Sequence, residues 1–325
     1  MLNRRAALVG AAAVGLGGCA TFDTPPQTAA LMKGAAPPDP SGLPGPGLAP
    51  TVELAAVPFF PQTRYHCGPA ALATVLVHAG VDTSPDQLAD AVFLPAREGS
   101  LQPEMLAATR RAGALGVLLQ PQLTALFQEV AAGNPPVVLQ NLGLSWVPRW
   151  HYAVLVGYDL AQQTVVLRSG TVQRERMGFT LFERTWARGR HWAFAAVPPG
   201  RLPVTAGEAD ATQAAIGFER VASPAQADLA YSSVLQRWPD NALAGLGQGN
   251  TRFAAGNLRG AADAFERVAL KHDSAAAWHN LAAVRSQLGE TALARAAAER
   301  AVQRASTQEP NWRDAAERLL RGLPG

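Results

Sequence analysis

One cysteine stands where a nucleophile could form. Cys67 lies in the stretch PQTRYHCGPAALATVL (61–76), followed directly by Gly68, Pro69 and an alanine-rich apolar run. A thiol is a weak nucleophile until it loses its proton, and the partial positive charge at a helix N-terminus favours the thiolate. A histidine in contact would favour it further and later protonate a leaving amine. Backbone N–H groups at the helix start can hold an oxyanion, and Gly68 puts no side chain in the way of an approaching substrate. Cys67 could equally be a small buried hydrophobe, and taken alone the residue leaves both readings open.

Six histidines compete to be its partner. His66 adjoins Cys67 and would have to fold its ring back to reach the sulfur. His78 sits about 16 Å further along the same helix at ~1.5 Å of rise per residue. His191 is expected to pack with Trp192, while His272 and His279 fall in a distant helical region. His151 opens the apolar run HYAVLVGYD, 84 residues after Cys67, and is the best placed. Gln62, five residues before the cysteine, is a further polar group within reach of the same helix start.

The elements that must carry these groups can be read from periodicity. Ala71, Leu72, Val75, Leu76 and Ala79 form a helical stripe that Gly80 closes, so Cys67 falls in the first turn. Ser84, Pro85 and Gln87 in TSPDQL are the cap, first position and box residue of a second helix. SLQPEMLAATRRAG and LTALFQEVAAG read as a third and a fourth. Strands follow: PPVVLQN, then HYAVLVGYD and TVVLRSG joined by LAQQ as a hairpin, then HWAFAAVP. Helices first and an antiparallel sheet second is an α+β order.

The chain of 325 residues is 48% hydrophobic and 16% charged, with a formal net charge of +3 and no basic stripe, which excludes a nucleic-acid partner. Arg4, Arg5 and the apolar run Ala6–Leu16 form an export signal over residues 1–18, too short to span a bilayer. It ends in Leu-Gly-Gly-Cys19, which resembles the bacterial lipobox; the resemblance implies that Cys19 carries a lipid, anchoring the protein in the cell envelope on the periplasmic face of the outer membrane. With Cys19 so used, the two cysteines cannot form a disulfide in the mature chain. Residues 19–50 are Pro/Gly-rich and read as a tether, 51–199 as one domain, 200–210 as a linker, and 211–325 as a second, wholly helical domain.

Within that last domain, AAGNLRGAADAFERVAL (254–270) can be laid on SQLGETALARAAAERAV (286–302). At a spacing of 33 residues Gly256 matches Gly289 and Ala261 matches Ala294. A period of 33 to 34 with paired helices resembles tetratricopeptide repeats, which implies stacked hairpins and a groove for a protein partner or extended substrate. No cofactor motif or metal-ligand pattern accompanies it.

Cys-Gly-Pro-Ala with an upstream glutamine, followed by His-Tyr-Ala-Val, resembles the papain-like cysteine peptidases that process bacteriocins after double-glycine leaders. The resemblance covers roughly residues 55–198 and implies a papain-like fold and a peptide or protein substrate. Residue by residue, it makes Cys67 the nucleophile, His151 its base and Gln62 an oxyanion-hole donor. That family expects an aspartate followed by proline after the histidine strand. This chain reads LRSG there, so Ser169 stands in the orienting place. Asp159 lies nearby but belongs to the expected hairpin turn. Three functions follow: an anchored cysteine peptidase, a scaffold with a degenerate site, or another papain-like amide or acyl-transfer activity.

Overall fold

The computed structural model describes residues 23–34, 48–62, 66–97 and 99–324. The signal segment and Cys19 lie outside the described residues, as does the middle of the proposed tether.

The Cys67 helix is α2 (Cys67–His78), preceded by α1 (Pro26–Met32) and β1 (Thr51–Glu53). Then come α3 (Pro85–Val92), α4 (Gln102–Arg111), β2 (Leu115–Leu118), α5 (Leu123–Ala131), β3 (Val137–Asn141) and β4 (Trp150–Asp159). β5 (Thr164–Ser169), β6 (Val172–Gly178), α6 (Phe179–Arg188) and β7 (Ala193–Val197) complete the mixed region. Ser84 caps α3 as expected, its hydroxyl accepting from the Gln87 N–H. The strands β1, β2 and β6 and the helices α1 and α6 were not anticipated.

The seven strands among the described residues form one antiparallel sheet in the order β2-β7-β3-β4-β5-β6, with β1 added beside the far half of β4. Alternation along β4 divides the core. Tyr152, Val154 and Val156 face α2, α3 and α4, together with Leu72, Val75, Leu76 and Met105. Ala153 and Leu155 face α5 and α6, where Phe127, Phe182 and Trp186 are buried. A bulge between Leu155 and Gly157 then turns Tyr158 onto the α5/α6 side. The sheet is therefore covered on both faces, and α2 is held against β4 with its first turn near the start of that strand.

Part of the expected tether is docked. In α1, Thr28 is buried, and its N–H and hydroxyl both donate to the Glu183 carboxylate on α6, which also accepts from the Gln27 N–H. Composition had suggested a flexible segment; one buried carboxylate with three donors fixes seven residues of it.

From Glu208 onward the described chain is helical: α7 (Glu208–Glu219), α8 (Pro224–Arg237), α9 (Ala242–Ala254), α10 (Leu258–His272), α11 (Ala275–Gln287), α12 (Thr291–Thr307) and α13 (Arg313–Gly322). Odd helices start 34 and 33 residues apart at Glu208, Ala242 and Ala275, and even ones likewise at Pro224, Leu258 and Thr291. Gly256 and Gly289, matched in the sequence repeat, both adopt positive φ at the same turn between paired helices.

The stretch 200–210, expected to be a linker, is packed instead. Thr205 and Ala206 are buried, α7 already begins at Glu208, and Ala211, Ala215 and Phe218 share one core with Leu115, Val117 and Val197 of the sheet. Glu129 on α5 is fully buried and secures the junction: its carboxylate accepts from Val204 N–H, Thr205 N–H, the Thr205 hydroxyl and the Asn134 amide. Burial pushes this carboxyl up, and the Thr205, Asn134 and Val204 donors oppose that.

Candidate active site

Cys67 is the first residue of α2, as the stripe predicts, and it is the one free thiol among the described residues. His66, at the cap position, turns its ring onto Phe93 at 5.1 Å. Gly68 is required by space: a Cβ there would overlap the Ser100 side chain, whose hydroxyl is buried without a hydrogen-bond partner among the described residues. Ser100 is itself tied to β4, its carbonyl accepting from the Tyr152 hydroxyl at 3.2 Å.

The sulfur lies against β4. Backbone N–H groups of Tyr152, Gly68 and Cys67 itself act on it, and Tyr152 is the residue after His151. His151 Nε2 is 2.9 Å from Ser169 Oγ at the end of β5. Its other ring nitrogen is the one left for a sulfur. Gln62 approaches from the loop before α2, its N–H donating to the Gly170 carbonyl at 3.0 Å. Gln62, Cys67 and His151 line one cleft of about 1080 Å³, and Ser169 backs the histidine.

The remaining histidines are elsewhere. His78 bonds the Gly133 carbonyl, His191 packs edge-on against Trp186 rather than Trp192, and His279 stacks near Trp312. Asp159 is at the far end of β4, where Oδ1 accepts from the Gln162 N–H, so it is the turn residue that the sequence suggested.

Electrostatics favour an uncharged resting pair. Burial pushes the Cys67 thiol up, and the three backbone donors only partly offset it. Burial pushes the His151 imidazole down; Glu175 on β6 opposes this, and Arg149 reinforces it. Glu175 is a carboxylate near the histidine that sequence reading missed, because pairing of β6 with β5 is what brings it there. The sign is testable. With the thiol raised and the imidazole lowered, alkylation by iodoacetamide should climb with pH through and beyond about 8.5, the ordinary thiol value. A rate already flat between about pH 5 and 8 would instead mean a preformed thiolate–imidazolium pair.

Other groups in the cleft were also invisible in sequence. Arg97, Arg149 and Arg190 line it from three separate connections, and Trp150 stands at its mouth, 56% exposed.

Residues 54–191 match the Peptidase_C39 like family, a span that includes Gln62, Cys67, His151 and Ser169, and the match supports a peptidase of the cysteine type. No curated protein matches the chain. Among solved structures, a Bacillus anthracis protein described as a C39-like peptidase aligns at 21% identity over 45% of this chain and 97% of that one, with a TM-score of 0.39. The peptidase domain of Streptococcus ComA, a bifunctional ABC transporter involved in quorum sensing, aligns at 20% identity over 44% and 98%, with a TM-score of 0.36.

Proposed function

We propose that the protein is a lipid-anchored envelope cysteine peptidase with Cys67 as nucleophile and His151 as base. The observation that carries this is a helix-start thiol and a histidine lining one cleft, with the histidine's Nε2 held at 2.9 Å by Ser169. His151 takes the thiol proton as the sulfur attacks the peptide carbonyl carbon. The resulting oxyanion is held by helix-start N–H groups and the Gln62 amide. Collapse breaks the C–N bond, and His151 returns its proton to the departing amine, leaving a thioester. Water, deprotonated by the same imidazole, then hydrolyses it.

A neutral starting pair suits this scheme if the proton moves only as substrate arrives, and it implies a slower enzyme than one with a preformed ion pair. Cys19 supplies the anchor in this reading. The paired helices after Glu208 act as tetratricopeptide-like repeats that bind a partner or part of the substrate; their 33- and 34-residue spacing supports this.

The test is a peptidyl thiol-directed warhead on purified full-length protein. Wild type should label at one site, and His151→Ala should slow labelling and turnover by about 10²–10⁴-fold, the range for loss of a general base. A wild type that never labels, in a folded and monodisperse preparation, sinks the reading.

Ser169 is a positioning residue. Ser169→Ala should lower kcat about 10–100-fold with little change in KM and shift the pH–rate profile, because the imidazole loses the partner that fixes its tautomer. Ser169→Asp should keep or raise activity, since a carboxylate stabilises the imidazolium formed during attack. Unchanged kcat and pH profile in both variants would remove Ser169 from the mechanism.

A further inference from the structure

The cleft has a charge pattern that the catalytic scheme does not use. Arg97 follows α3 in a short 3₁₀ turn, Arg149 ends the β3–β4 connection, and Arg190 sits in the α6–β7 turn, yet all three line the cleft that holds Cys67 and His151. No aspartate or glutamate is among the described residues that line it. None of the three guanidinium groups makes an ion pair among the described residues, whereas arginines elsewhere do: Arg174 with Glu53, Arg252 with Asp228, Arg285 with Glu266, and Arg300 with Asp273.

Two of these arginines are carried on fixed backbone. The Arg149 N–H donates to the buried Asn141 side chain at 2.8 Å, and its carbonyl accepts from Leu142 N–H at 2.9 Å. Arg190 and His191 both adopt positive φ, 57° and 52°, an arrangement that is costly for residues with a Cβ and holds only where the surroundings impose it. The turn is locked by Gly189, where a Cβ would overlap the Leu139 carbonyl. Three cations and no carboxylate among the described lining residues give the cleft a positive bias, which favours an anionic occupant.

We propose that the cleft selects peptides carrying carboxylates close to the scissile bond, held by Arg97, Arg149 and Arg190; the inference rests on the peptidase reading of the same cleft. The carboxylate can come from an Asp or Glu side chain or from the chain's own C-terminus. Guanidinium forks match either one bidentately.

The test separates these sources and separates this inference from the catalytic one. Fluorescent peptides of one sequence are compared with Glu, Gln or Lys within two residues of the cleaved bond, each as the C-terminal acid and amide. Binding is read by polarisation on full-length Cys67→Ala protein, and cleavage on wild type. Binding of the Glu peptide should exceed the Gln peptide by about five- to thirty-fold, a range set by two or three solvent-accessible charge pairs. The preference should shrink as salt rises from about 0.05 to about 0.5 M. It should vanish in a folded Arg97→Gln/Arg149→Gln/Arg190→Gln variant, and Arg190→Glu alone should favour the Lys peptide.

If only the C-terminal acids gain, the recognised group is the chain terminus; if the amides gain equally, it is the side chain. Equal binding of Glu and Gln peptides, or a preference that survives the triple substitution, overturns the inference. Because binding is read without turnover, an acid preference in a protein that never labels with a warhead would leave the cleft's selection of carboxylate peptides standing and remove the peptidase reading.

Discussion

Cys67→Ser is expected to eliminate warhead labelling and to lower peptide turnover by at least about 10⁴-fold, as losses of a catalytic nucleophile do. Melting should be nearly unchanged. The argument rests on what the substitution preserves. Serine keeps the size, the first-turn place in α2 and the neighbouring N–H groups, so packing and oxyanion donors survive. It replaces a thiol that His151 can deprotonate with a hydroxyl of far higher pKa, in a site whose burial already disfavours the anion. The competing view makes Cys67 a filler for the core under α2, where it does pack beside buried neighbours. On that view the more polar serine would loosen the contact with the core and lower melting, and wild type would resist thiol reagents. Melting curves and labelling of the two proteins therefore decide between chemistry and packing in a single comparison.

What could be read from sequence is what local rules write. The stripe from Ala71 to Ala79 places Cys67 at a helix start, and the β-rich run after His151 makes a strand. Ser169 falls at the end of the next strand, where Nε2 of the histidine meets it. The helix follows from a period of 3.6, the strands from β-rich composition, and Ser169's place beside the histidine from the family resemblance. The missed elements lack that length or that composition. β2 is four residues, Leu-Gly-Val-Leu, and exists because β7 pairs with it. α6 is rich in Phe, Thr and Trp, poor helix formers, and is held by Phe179, Phe182 and Trp186 packing on the sheet. Glu129 and Glu183 look like solvated helix charges. They are buried because backbone donors from distant segments converge on them, which no window of sequence contains. The arginines of the cleft are hidden for the same reason: three turns meet only when the sheet order is fixed.

The second large effect concerns the helical half. Composition suggests that it can be removed at the 200–210 stretch, leaving a working catalytic unit. The packing predicts otherwise: residues 23–199 alone should be destabilised by about 5 kcal/mol or more, against the total of about 5–15 that a domain has. Leu115 and Val117 of β2 and Val197 of β7 are almost wholly buried, and they share their core with Ala206, Ala211, Ala215 and Phe218, all of which the truncation removes. Uncovering apolar side chains costs about 1.5–3 kcal/mol each when exposure is complete, so partial exposure of three amounts to about 3–6. Glu129 loses the donors from Val204 and Thr205 and keeps only Asn134, adding about 1–3 kcal/mol for a poorly satisfied buried group. β2 would also become an uncovered edge strand, a template for aggregation.

The expected result is a truncated chain that melts without cooperativity or precipitates, and that labels poorly because Cys67 and His151 are no longer held together. Phe218→Ala in the full chain isolates the packing contribution. It should cost about 3–5 kcal/mol, while warhead labelling of the fraction that remains folded stays at the wild-type rate. A monomeric, soluble 23–199 fragment with a cooperative transition and full labelling would show that the shared core is dispensable. The helical hairpins would then serve binding alone, and the two halves could be treated as independent.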